Sequence, residues 1–154
     1  MATKSKPQNQ CDGCTLCCKV PYVSELKKPV NTLCVHCQLN VGCKIYKARP
    51  QSCRDYTCLY ITDNLSKDLK PNECHVVFEK LKNAPVFLAL IDPDFPDSLD
   101  NPVVTNQIFK LLREHFSIVT TVGQGSTKNI ILAEDTTKEE VWRHITIAYK
   151  LINF

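Results

Sequence analysis

Nine of the ten cysteines lie between Cys11 and Cys58, and they come in pairs and doublets. A chain that crowds its thiols in this way joins them as disulfides, uses them as redox dithiols or closes them on a metal. The spacing favours metal. Cys11-Asp12-Gly13-Cys14 and Cys34-Val35-His36-Cys37 are both C-x2-C units. Such a unit sets two sulfurs on one side of a tight turn, near the geometry that a tetrahedral ion needs. Gly13 suits the first turn, because glycine accepts a positive φ that lets backbone amides face the sulfurs.

The remaining cysteines ask for more than one ion. Cys17 and Cys18 are adjacent, and adjacent side chains diverge by about 100° on a helix or point to opposite faces of a strand. Cys14 and Cys18, at i and i+4, suit one helical face, which leaves Cys17 for a second ion or a bridge. Cys53 and Cys58 lie five apart, about 140° around a helix, so either the turn ends between them or they serve different ions. Two zinc ions, or a small thiolate-bridged cluster, are expected. Cys11-x2-Cys14-x2-Cys17 also matches the first three cysteines of a bacterial iron–sulfur motif, although the C-x3-C-P continuation is missing. Soft thiolates accept zinc and iron alike, so iron or an iron–sulfur cluster stays open as the alternative.

The first ten residues are polar, with no apolar run, so no secretory signal is expected there and a cytoplasmic, thiol-reducing setting is. No stretch approaches the ~20 apolar residues of a membrane span. The net charge of +3 is uneven: residues 1–80 hold 12 Lys/Arg against 7 Asp/Glu, and residues 81–154 hold 7 against 9. A basic half, with Tyr46 and Tyr56 near Arg49 and Arg54, raises zinc-dependent nucleic-acid binding as a second alternative. Metal-bound thiols are deprotonated, however, so the basic residues serve equally to balance the cluster. Nucleic acid is therefore not the expected partner; protein contacts are.

Residues 1–10 read as a disordered tail and 11–60 as a cysteine module. Pro21, Pro29 and Pro50 interrupt any long helix in that module. Its few large apolar residues make metal the source of its folding energy. Residues 61–74 read as a connector, and 75–154 as a small α+β unit. There His75–Leu81 and Ala84–Ile91 are strand candidates joined by a Lys82-Asn83 turn. Asn101-Pro102 starts a helix with Val104, Ile108, Leu111 and Leu112 on one face. Ser117–Val122 and Asn129–Ala133 are strands around Gly123-Gln124-Gly125. Thr136–Glu140 offers a capping box to a last helix with Val141, Ile145, Ala148 and Ile152 on its apolar face. The expected fold class is α+β: an irregular, metal-stapled cysteine module followed by β-β-α-β-β-α.

Other chemistry finds little support. His36 sits inside a cysteine turn as a candidate ligand or supporting residue. Cys74 reads as a buried thiol. Asp92, Asp94, Asp97 and Asp100 form an acidic loop without the glycine and closing glutamate of a calcium loop. Neither a catalytic triad nor a phosphate-cradling glycine loop can be assembled from local spacing, so no catalytic residues are assigned.

The quartet C-x2-C-x2-C-C, then Cys34-Val-His-Cys37, then G-C-K-I-Y-K-A-R-P-Q-S-C-R-D-Y-T-C over 42–58 resembles the CxxCxxCC, or YkgJ-type, cysteine-cluster family of zinc- or iron-chelating domains. The resemblance covers residues 11 to about 60. L-K-P-N-E-C-H-V-V-F, 69–78, is similar to the following segment in one branch, where a glycine is more usual at Cys74. The resemblance implies metal-ligand roles for Cys11, Cys14, Cys17, Cys18, Cys34, Cys43 and Cys53 and, in the branch that has them, for Cys37 and Cys58.

Overall fold

Short apolar runs punctuated by turn residues set the frame of the chain. The computed structural model describes residues 9–56, 58–123 and 128–152. In order the elements are α1 (Leu16–Lys19), β1 (Cys37–Gln38), β2 (Gly42–Cys43), α2 (Gln51–Asp55), α3 (Leu59–Thr62), α4 (Pro71–Cys74), β3 (Val76–Lys80), β4 (Val86–Ile91), α5 (Pro102–Arg113), β5 (Ser117–Val122), β6 (Lys128–Ile131) and α6 (Lys138–Ile152). With 39% helix and 20% strand, the protein is α+β. The β-β-α-β-β-α order expected of the second half is the one found.

One four-stranded sheet runs β3-β4-β5-β6. β3 and β4 are antiparallel, with Val77 opposite Leu90. β4 and β5 are parallel, with Phe87 opposite Ile118, and a parallel neighbour needs a crossover, which α5 supplies. β5 and β6 are antiparallel, with Val119 opposite Ile130. Every residue of β4 is buried, as befits a strand covered on both faces.

The helix starts are local and legible. Asn101 Oδ1 accepts the Val103 amide at 3.0 Å, with Pro102 at the first helical position. Thr137 and Glu140 cap α6 reciprocally: the Glu140 amide donates to Thr137 Oγ1 at 3.2 Å, and the Thr137 amide to Glu140 Oε2 at 2.8 Å. Gln124 and Gly125 of the expected β5–β6 turn lie outside the described residues, as do Met1–Gln8 of the expected tail and the Ile152 side chain.

Alternation along the strands sorts side chains onto two faces. Val76, Phe78, Phe87, Ala89, Ile91 and Ile118 pack under Val104, Ile108 and Leu111 of α5. Val77, Val86, Leu88, Leu90 and Val119 pack under Val141 and Ile145 of α6. The cysteine segment joins this second core through Leu16 and Val20. Residues 61–74 do more than connect: Leu69 and Cys74, with Leu59 just before them, are buried in the first core. The helical pieces there are only three or four residues long and leave no periodicity to read, which is why the sequence suggests only a tether.

Candidate metal centre

The first C-x2-C unit is a tight turn. The Cys14 amide donates to the Cys11 carbonyl at 2.7 Å, and Gly13 takes the positive φ, 76°, expected of it. A Cβ at Gly13 would stand 2.6 Å from the Asn40 carbonyl oxygen in the β1–β2 loop. Glycine is thus required twice, for the dihedral and for the close approach. The side-chain amide of Asn72 clamps the same turn: its Oδ1 accepts the Thr15 amide at 2.9 Å, and its Nδ2 donates to the Gly13 carbonyl at 3.0 Å. Lys70 Nζ donates to the Asp12 carbonyl at 2.8 Å. The Lys70-Pro71-Asn72 run therefore organises the opening cysteines.

The second unit sits on the β1–β2 hairpin. The Cys37 amide donates to the Cys34 carbonyl at 2.9 Å, and the Cys34 amide to the Cys18 carbonyl at 3.0 Å. Cys43 stands opposite Cys37 in the β1–β2 register. Cys53 lies on α2, whose start is held by Glu25: its Oε1 accepts the Ser52 amide at 3.1 Å and its Oε2 the Ser52 hydroxyl at 2.7 Å. α2 ends at Asp55, so the turn does end between Cys53 and Cys58. Cys58 forms a β-bridge with Glu79, at the outer edge of β3.

All ten cysteines carry free thiols, and nine gather into two neighbourhoods that touch. In the first, Cys14 acts on Cys11, and both act on Cys17 and on Cys58, while Cys18 of the second group acts on Cys11 and Cys14 as well. In the second, Cys18 hydrogen-bonds Cys37, which also feels Cys34 and Cys43, and Cys53 feels Cys18 and Cys34. A Cys17–Cys18 hydrogen bond joins the two. α1 begins only at Leu16, so Cys14 precedes the helix and its i, i+4 pairing with Cys18 does not arise. Nor do Cys17 and Cys18 diverge as adjacent side chains were expected to, since their thiols hydrogen-bond one another. His36 contributes its carbonyl, which accepts the Lys44 amide at 2.8 Å. Cys74 stands apart in the core, its thiol donating to the Val76 carbonyl at 3.3 Å.

The electrostatics follow from burial and crowding. Burial, then neighbouring thiols, pushes Cys11 and Cys37 up, and burial then Cys18 pushes Cys53 up. Cys14 and Cys58 are also raised by burial, but backbone amides oppose the rise: those of Leu16 and Asn72 at Cys14, and those of Tyr60 and Ile61 at Cys58. Amides aimed at sulfur favour the thiolate. Cys17 is raised chiefly because it donates to Cys18, and Cys18 is lowered chiefly because it accepts from Cys17, then from Cys37, with Lys28 helping.

Among the described residues, no group of three or more His, Cys, Asp or Glu side chains is placed so that it could hold a metal ion. The donor set nevertheless suits a soft ion. Two buried donor atoms, Tyr56 Oη and Arg49 Nε, find no partner. Both lie by the thiols, Tyr56 by Cys17, Cys58 and Cys14 and Arg49 by Cys11. Buried donors rarely stay unpaired, and thiolates formed on metal binding would supply the acceptors. Sequence reasoning missed Tyr56 in this role, along with Lys28 and Asn72. Arg49 stacks at 3.8 Å over the exposed Tyr46 ring, while the Tyr56 hydroxyl points inward.

Compared with protein-family profiles, with curated proteins and with solved structures, the chain finds no match in any of the three. No described helix is long and apolar enough to cross a membrane.

Proposed function

We propose that the chain is a thiolate metal-binding module that takes zinc and acts structurally, through contacts with other proteins. One observation carries the reading: cysteines scattered from Cys11 to Cys58 meet in two touching neighbourhoods, beside two buried donors that lack acceptors. On this reading Cys11, Cys14, Cys17 and Cys58 hold one ion, and Cys18, Cys34, Cys37, Cys43 and Cys53 serve a second. Nine thiols saturate two tetrahedral ions, and a closed site is structural rather than catalytic. The resemblance to the CxxCxxCC family points the same way. Iron is the competing ion, on the strength of the Cys11, Cys14, Cys17 triplet.

Anaerobic purification followed by elemental analysis and an absorption spectrum tests the proposal. Colourless protein with about two zinc per chain is expected for two four-cysteine sites. Brown protein containing iron and sulfide replaces zinc with the competing ion. Protein that binds neither metal overturns the reading.

A further inference from the structure

Lys28 is a lysine in an unusual place. It is only 5% exposed, and its Nζ donates to the carbonyls of Lys19, Pro21 and Pro29 at 2.9, 2.6 and 2.8 Å. All three of its N–H groups are thereby used. The backbone is built to hold it there. Lys28 and Val23 exchange both amide bonds, at 3.0 and 3.2 Å, across a turn that Lys27 closes with φ 48°. This loop lies in the stretch between Cys18 and Cys34 that carries no cysteine. Carbonyl dipoles solvate the ammonium, but they do not cancel its charge.

No carboxylate pairs with Lys28 among the described residues, whose salt bridges are those of Lys19 with Asp92 and Asp94. A buried charge is costly unless it is compensated. The groups that face it are thiols: Cys34, Cys18, Cys53 and Cys17. Four thiolates on a divalent ion leave a net charge of about −2, so these sulfurs become the missing counter-charge once they hold a metal. The first neighbourhood feels Lys28 only through Cys17, the weakest of the four contacts. Its cations, Arg49 and Lys70, are only half-buried, and Asp12 and Glu79 oppose them. Glu25 opposes Lys28 at Cys53, but it is exposed and screened by solvent.

We infer that Lys28 is a built-in counter-ion for the Cys18–Cys34–Cys53 side of the cluster, and that it makes this side take its ion first and more tightly. The inference rests on the metal reading above and deepens it by assigning an order of loading.

Reduced, metal-free protein titrated with cadmium, followed by its thiolate charge-transfer absorption, reads each step directly. Zinc competition against a chromophoric chelator gives the affinities. Wild type should load in two steps, with Cys53→Ser, which leaves four thiols on its side, weakening the first and Cys58→Ser, which leaves three, abolishing the second. Lys28→Met keeps the stem and removes the charge. It should weaken the first step about 10- to 100-fold, the usual range for losing a supporting residue, and affect the second, which Lys28 reaches only through Cys17, much less. Lys70→Met, which removes a solvent-screened cation, should leave the first step unchanged. Should Lys28→Met not fold, the salt dependence of the wild-type steps decides. A buried counter-ion is screened less than surface charges, so the first step should be the less salt-sensitive one. Two steps with equal salt sensitivity, or a Lys28→Met titration that overlays wild type, overturn the role of Lys28 while leaving the metal reading intact. A wild-type protein that takes neither cadmium nor zinc overturns both.

Discussion

At the scale of single residues, two buried groups lie beside the first sulfur neighbourhood, and each predicts its own effect on stability. Tyr56 Oη is buried and unpartnered, and an unsatisfied buried donor costs about 1–3 kcal/mol. Tyr56→Phe should therefore stabilise the metal-free protein by about 1 kcal/mol and yet lower metal affinity, because the donor to a thiolate is gone. Denaturant melts of stripped protein, set beside chelator competition, check the pair; a variant that raises both or lowers both contradicts the assignment. Glu79 is the second group. Burial raises its carboxyl from 4.5 to about 7. Below pH 4.5 it is protonated in the folded and the unfolded chain alike. Between 4.5 and about 7 the unfolded chain ionises first, so the fold loses stability as pH rises, and above 7 the penalty is constant. Glu79→Gln should be more stable than wild type by about 3 kcal/mol at pH 8, with the gain vanishing by pH 4. Comparing the two proteins cancels the titration of the thiols, which they share. A gain that is the same at both pH values would mean that the carboxyl does not titrate in this window.

At the scale of elements, turns and caps act as mechanical parts. Gly13→Ala places a Cβ 2.6 Å from the Asn40 carbonyl and asks alanine to hold φ 76°. A loss of more than about 1 kcal/mol follows, felt at both C-x2-C units because the clash lies between them. Thermal melts should show it, and amide exchange at Cys14 and Cys37 should accelerate together. Asn101→Ala should cost about 1 kcal/mol through the lost α5 cap and leave the thiols untouched. These two changes also mark what was legible in the sequence. Asn101-Pro102, the Thr137–Glu140 box, the Ser117–Val122 strand and the Gly13 turn all depend on neighbours within a few residues, and each is found as read. The crowding of the nine cysteines was legible from their spacing, but the separation of Cys17 from Cys18 expected of adjacent side chains is not found, because their thiols hydrogen-bond one another. What escaped was long-range. Asn72 clamps Thr15 from 57 residues away, Glu25 reaches Ser52 across 27, and Lys28 is an ordinary loop lysine until the fold buries it. α3 and α4 escaped for another reason: at four residues each, they are too short to show a period.

At the scale of the whole molecule, the question is how far the thiol segment and the sheet stand or fall together. The sheet has a core on each face, and the one beneath α5 draws nothing from residues 11–58. The core beneath α6 takes Leu16 and Val20 from that segment, 4% and 0% exposed. Burying one such side chain contributes about 1.5–3 kcal/mol. Losing both would weaken the sheet by about 3–6 kcal/mol, a large share of a typical domain's stability but not all of it. Residues 11–58 have no comparable reserve, since Leu16, Val20 and Val23 are the buried aliphatic side chains among their described residues. Lys19 adds a tether, with its Nζ 2.5 Å from both Asp92 and Asp94 at the end of β4. The Asp94 contact is solvent-exposed and contributes about 1 kcal/mol or less, while the Asp92 contact is largely buried and is the firmer of the two. Chelator treatment under reducing conditions should therefore split the molecule by stability rather than unfold it outright. In hydrogen exchange, the amides of Cys14, Cys34, Cys37 and Lys44 should lose protection first. The amides of β4 and β5 should stay protected, though less strongly than in metal-loaded protein. If those four amides and both central strands exchange together in one step, the thiol segment is part of the sheet's own cooperative unit. If stripping leaves the four amides as protected as before, something other than metal holds the cysteine segment in place.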